Sequence, residues 1–285
     1  MTLEGSAVQS EGRYVHANGI DIYYVEAGQG DPLLLLHGGA VSTSPVWAGM
    51  PFAYVSHMQT LAQHFRVIAP DTRGCGRTVN PGGGSIPFAQ LADDVVALID
   101  ALGLERPLIC GFSEGGITAT IVGIRNPTAV RAIVNHAAYD FFNPQAPSLI
   151  MRQMFGGSPE ATQADLEAFE RAFESSEEMR AMLELMKADH EGAQGPGYLK
   201  TYLEQAFDRT TQSPGYTFED LAKIRGPTLI LTGDRDEFCS VEEGVEAYRK
   251  LQQGELAVLP NTGHMITPSA VAVSIEFLEH HRLAP

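Results

Sequence analysis

Six short runs along the chain are apolar at almost every position: PLLLLHG (32–38), RVIAPD (66–71), RPLICGFS (106–113), RAIVNHAA (131–138), PTLILTGD (227–234) and ELAVLPN (255–261). Runs without an alternating polar face predict strands covered on both sides, as in a parallel sheet. Ahead of them, RYVHANGIDIYYVEAG reads as two further strands joined at Asn18-Gly19, a strong hairpin signal. The stretches between the runs carry a helical period. In FAQLADDVVALIDALGL (88–104), Leu91, Val95, Leu98 and Leu102 share one face, and Gly103 closes the helix. SVEEGVEAYRKLQ (240–252) opens on a serine cap and ends in basic residues that suit the helix dipole. SAVAVSIEFLEHHR (269–282) supplies a last helix. Alternating strands and helices predict an α/β architecture with a mostly parallel sheet of eight strands flanked by helices.

One region breaks the alternation. Residues 140–215 contain no strand-like run, and four helical stretches replace it, at about 145–156, 160–174, 176–190 and 197–209. Each is amphipathic and needs a surface to lie on. An all-α segment inserted after the sixth strand predicts a lid over the sheet's edge. The expected division is therefore core (1–139), helical lid (140–215) and core again (216–285).

Composition narrows the function. The 285 residues carry a net charge of −16, which argues against a nucleic-acid partner, since nothing would neutralise phosphates. Three cysteines, Cys75, Cys110 and Cys239, match neither a disulfide framework nor a zinc pattern. No basic and apolar leader is visible, and no apolar run approaches the roughly 20 residues needed to span a bilayer. The expectation is a cytoplasmic protein without a metal or organic cofactor. Its expected partner is a small molecule rather than nucleic acid or membrane, with a homodimer admitted.

The chemistry concentrates where runs end. Gly111-Phe112-Ser113-Glu114-Gly115 follows a strand and precedes a helix, the context in which a G-x-S-x-G turn projects a serine hydroxyl. A nucleophilic serine needs a base, and the base an orienting acid. His264 follows a strand on a short loop and precedes a helix, which places it at the strands' carboxyl edge, where ligand sites gather. His190, His280 and His281 fall at helix ends instead. The acid belongs after the preceding strand, where Asp236 reaches further than Asp234. Glu237 and Asp140 are weaker alternatives. The oxyanion needs two preorganised N–H donors. Glu114 supplies one by position, and Gly39, with Ala40 as alternative, supplies the other from HGGA. His37, at the strand terminus before those glycines, reads as a structural imidazole.

Strand-HGG, APDTRGCGRT (69–78), strand-GFSEGG, the all-α insertion, strand-TGDRD and NTGH occur in an order that resembles the α/β-hydrolase superfamily. The resemblance covers about residues 13–139 and 215–283. It implies an α/β-hydrolase fold, a triad of Ser113, Asp236 and His264, and oxyanion donors at the amides of Gly39 and Glu114. Serine at position 113 sets the chain apart from epoxide hydrolases and haloalkane dehalogenases, whose nucleophile is aspartate. The elbow GFSEGGITA is most similar to that of valacyclovir-hydrolase-like esterases, with Glu114 in place of an aspartate. Gly38, Trp47, His136, Tyr139, Met151, Met154, Phe155 and Met265 are the candidate substrate wall, rich in flexible thioethers. The expected reaction is hydrolysis of a small-to-medium hydrophobic ester or lactone. Acyl transfer and cofactor-free C–C cleavage use the same triad, and a ligand-binding receptor is the alternative of another class.

Overall fold

Asn18 and Gly19 both take positive φ, 47° and 74°. That pair forms the tight turn whose twist matches two antiparallel strands. The turn joins β1 (Arg13–Ala17) to β2 (Ile20–Ala27) in the computed structural model, which describes residues 12–143, 171, 176–211 and 215–282. The remaining strands are β3 (Pro32–Leu36), β4 (Arg66–Pro70), β5 (Leu108–Phe112), β6 (Ile133–His136), β7 (Thr228–Gly233) and β8 (Gly254–Leu259). They form one eight-stranded sheet in the order β1-β2-β4-β3-β5-β6-β7-β8. β2 runs antiparallel to β4, and every pairing from β4 to β8 is parallel.

The apolar runs are covered as their composition predicts, with one exception. Strands β3, β5, β6 and β7 are buried along nearly their whole length. β8 lies at the sheet's edge, and its residues are mostly half-buried or exposed, Val258 among the exposed ones. Apolar composition suggests burial on both faces, yet an edge strand has a neighbour on one side only.

A one-turn helix, α1 (Met58–Leu61), precedes β4. The sheet is flanked by α2 (Phe88–Ala101), α3 (Glu114–Arg125), α6 (Val241–Lys250) and α7 (Pro268–His280). Ser240 caps α6 through the Glu243 amide, and Leu91, Val95 and Leu98 bury the inner face of α2. α7 starts one residue before its predicted position, because Thr267 caps the Ala270 amide and Pro268 fits the first turn.

Between β6 and β7 the described residues include two long helices, α4 (Glu177–Gln194) and α5 (Tyr198–Thr211). The stretches at 145–156 and 160–174 lie outside the described residues, Arg171 excepted. α4 and α5 build a second apolar cluster, where Met186, Leu199, Tyr202 and Leu203 pack on Val41, Trp47, Ala53 and Cys75. That cluster sits over the loops that leave β3 and β4. Among the described residues, no helix is long and apolar enough to cross a membrane.

Candidate active site

Ser113 stands between β5 and α3 with φ 52° and ψ −122°, a conformation L-residues avoid unless their surroundings enforce it. Two glycines do so. A Cβ on Gly111 would lie 2.2 Å from the Gly115 carbonyl oxygen, and one on Gly115 would lie 2.4 Å from that of Leu36. The strand-to-helix corner is therefore tighter than any side chain allows. The Ser113 amide donates to the His136 carbonyl at 2.9 Å, and the Ser113 carbonyl accepts from the Gly116 amide at 2.8 Å. The backbone is tied on both sides, and the hydroxyl is presented at the end of the sheet.

His264 lies on the loop between β8 and α7. Its Nδ1 is 3.0 Å from Asp236 Oδ2 and 3.2 Å from Oδ1. The Asp236 side chain is fully buried and also accepts the amides of Phe238 (2.9 Å) and Cys239 (3.0 Å). These donors hold the carboxylate in one orientation. The His264 ring packs against Phe112 and Phe238, each with centroids 4.7 Å away. With Nδ1 donating to the carboxylate, Nε2 is left as a proton acceptor. The other acids lie elsewhere. Asp234 accepts from the Thr262 amide and closes its own turn. Glu237 accepts from the His264 amide at 3.4 Å. Asp140 is buried against the Cys239 thiol.

The loop after β3 faces this pair. His37 is buried, its Nδ1 2.7 Å from the Gly38 carbonyl and its Nε2 accepting from the Thr72 amide at 3.0 Å, which leaves it no site for a reacting proton. Neither the Gly39 nor the Glu114 amide has an acceptor among the described residues. The Ala40 amide, the alternative donor, is taken by the Tyr202 hydroxyl of α5. His190, read from the sequence as a helix end, is stacked on Tyr202 at 4.2 Å and accepts the Gly76 amide.

A cavity of about 210 Å³ joins these groups, bordered by Ser113, His264, Gly38, Gly39, Ala40 and Trp47, with Val41, Phe52, Phe112 and Met182 completing the wall. Gly38 and Trp47, two of the expected wall residues, border this cavity. Three wall candidates do not. His136 is buried behind Phe112, with centroids 5.0 Å apart; burial first, and the nearby His264 second, lower its pKa to about 3. Tyr139 is turned toward α6, its hydroxyl donating to the Ser240 carbonyl at 2.9 Å. Met265, exposed, does not border the cavity. Met151, Met154 and Phe155 lie outside the described residues. The sequence reading passed over Val41, Phe52 and Phe112, since an apolar residue near a glycine loop looks like ordinary core. It also passed over Asp189, which fixes Trp47, and Arg209, which meets Glu114. A half-buried acid at the elbow is a signal that a cation lies near it.

A family model described as alpha/beta hydrolase fold matches residues 31–269. The chain belongs to that family. As an α/β hydrolase it is 27% identical over 271 residues to the 2-hydroxy-6-oxo-2,4-heptadienoate hydrolase of Pseudomonas putida strain F1, covering 90% of each chain. It is 26% identical to the pimeloyl-(acyl-carrier protein) methyl ester esterase of Nitrosospira multiformis, over 86% of this chain and 92% of that one. Among solved structures, the meta-cleavage product hydrolase of Pseudomonas fluorescens IP01 superposes with a TM-score of 0.71 at 21% identity, over 94% of this chain and 98% of that one. Hydrolysis of the first relative's named substrate, which has no ester or amide, breaks a C–C bond. This hydrolase fold therefore has relatives that act on more than one bond type.

Proposed function

We propose that this α/β hydrolase cleaves a compact, uncharged carboxylic ester or lactone through an acyl-enzyme on Ser113. One observation carries the reading: Ser113, His264 and Gly39 line a single apolar cavity, and the amides of Gly39 and of Glu114, the residue after Ser113, have no acceptor among the described residues. His264 Nε2 takes the Ser113 proton as Oγ bonds to the carbonyl carbon. The carbonyl oxygen becomes an anion held by the two amides, each worth on the order of 3 kcal/mol to the transition state. The C–O bond to the alcohol then breaks, and the imidazolium delivers its proton to the leaving oxygen. Water, deprotonated by the same ring, attacks the acyl carbon; the bond from that carbon to Ser113 Oγ breaks, the imidazolium returns its proton to Oγ, and the carboxylic acid leaves. Asp236, fixed by two amides, keeps the proton on Nδ1 and stabilises the imidazolium.

The wall favours one kind of substrate. Its side chains beyond Ser113 and His264 are apolar, and among the described residues no cation borders the cavity. A carboxylate-bearing dienoate, the substrate type named for the Pseudomonas putida relative, would find no counter-charge among the described residues of the wall. The cavity also lies below the usual range of ligand pockets, about 300–1,000 Å³, which favours a short acyl group.

A fluorophosphonate probe should form an adduct on Ser113 in the folded protein, and Ser113→Ala should remove both the adduct and the hydrolysis of short p-nitrophenyl esters. Unlabelled Ser113, or esterase activity surviving in Ser113→Ala, would refute the mechanism. Faster turnover of a 2-hydroxy-6-oxo-dienoate than of any ester in the panel would move the substrate to the C–C class.

A further inference from the structure

Arg209 is a cation enclosed by the fold. Its side chain is 4% exposed, and its Nη2 donates to Glu114 Oε2 at 2.8 Å. The guanidinium lies 5.6 Å from the centre of the Phe88 ring, and its Nε has no partner among the described residues. Burying a guanidinium in an apolar setting is expensive unless it answers another charge. Glu114 is that charge, and its position matters. A Cβ on Gly39 would lie 3.0 Å from Glu114 Cδ and 3.1 Å from Oε1. The carboxylate therefore rests against the residue whose amide, together with Glu114's own, faces the forming oxyanion. A bare carboxylate there would oppose the negative charge that the two amides are arranged to hold. The other titratable groups that sense Glu114, Cys75 and Tyr202, are kept protonated by burial and cannot balance it.

The helix that brings Arg209 also holds the other arm of the site. Tyr202 lies seven residues before Arg209, two turns away on the same face of α5. Its hydroxyl accepts the amide of Ala40, which sits at a positive φ of 61° directly after Gly39. One helix of the segment between β6 and β7 thus grips both the HGGA loop and the elbow.

We propose that Arg209 is a positioning residue for the oxyanion site: from α5 it neutralises Glu114, so that the amides of Gly39 and Glu114 act without an opposing carboxylate. The proposal rests on Ser113 being the nucleophile. It adds that the site is electrostatically complete only when α5 is seated, and that catalysis depends on a residue that touches no substrate.

The test uses the full chain with p-nitrophenyl acetate, and follows fluorophosphonate labelling of Ser113 in parallel. Arg209→Met exposes the oxyanion to an unbalanced carboxylate and should lower kcat about 100-fold, with KM changed less than about threefold. Removing the charge as well, in Glu114→Gln/Arg209→Met, should recover at least about tenfold of that loss, which a purely structural role for the pair does not allow. Wild-type kcat in Arg209→Met, or a folded double variant as slow as the single one, would overturn the proposal. If Arg209→Met does not fold, Arg209→Lys decides. It keeps the charge and loses the planar fork, so kcat within about tenfold of wild type supports charge balance, and a larger loss in folded protein overturns it. Failure of the wild-type chain to label at Ser113 would refute the hydrolase reading. A labelled wild type with an indifferent Arg209→Met would refute only the role of Arg209.

Discussion

Asp140 follows β6, is only 2% exposed, and has a carboxyl Oδ2 with no hydrogen-bond partner among the described residues. Burial pushes its pKa up to about 7, and the Cys239 thiol pulls weakly the other way through its bond to Oδ1. The folded state therefore favours the neutral acid, whereas an unfolded Asp ionises near pH 4. Its contribution to stability is fully present below that pH and is lost as pH rises through about 7. Asp140→Asn stays neutral throughout. It should gain on the order of 2 kcal/mol of stability at pH 8.5 and little at pH 4.5, read from urea unfolding at the two pH values. The order of chemical groups is what the sequence reveals best at this scale. Ser113 is marked by its glycines and His264 by its loop. The choice between Asp236 and Asp234 turns on reach, and only the folded chain shows that Asp234 spends its carboxylate on the Thr262 amide.

Among the elements, α4 shows what periodicity reads and what it misses. Met179, Met182 and Met186 recur at helical spacing, and the helix forms as that spacing predicts. It continues past the expected end at His190 to Gln194, because Asp189 and His190 are buried partners rather than terminal polar residues. Asp189 accepts from the Ser42 hydroxyl at 2.7 Å, the Ser42 amide at 3.2 Å and Trp47 Nε1 at 2.5 Å. A hydrophobicity pattern distinguishes inside from outside for apolar residues, but it cannot say which distant donor a polar one will meet. Asp189→Ala leaves three buried donors without an acceptor, and should cost about 3 kcal/mol in thermal or urea unfolding. Because Trp47 borders the cavity, the same change should raise KM for esters more than it lowers kcat.

For the molecule as a whole, the net charge of −16 biases which substrates arrive. An ester carrying a quaternary ammonium should show a higher kcat/KM than an isosteric anionic one. The gap should shrink from low salt to 1 M salt, where screening falls to about 3 Å; a gap independent of salt would exclude long-range steering. Sheet order is the part of the fold that local patterns cannot express. Each of the eight strands is legible by itself, but the placement of β8 at the edge depends on pairings between distant segments, so its exposure is not. Glu114 and Arg209, 95 positions apart, are joined for the same reason.

The corner around Ser113 also bears on how such a chain can change over generations. Gly111 and Gly115 are fixed by backbone atoms of the fold, so a substitution at either removes the protein along with its activity. Ser113 itself projects from that corner into the cavity, and its side chain supports no part of the core. Mutational freedom is therefore distributed unevenly over five adjacent residues: closed at the frame, open at the centre. A lineage could exchange the reacting atom at this position and keep a folded scaffold, so descendants with new chemistry would still carry the glycines of their ancestor.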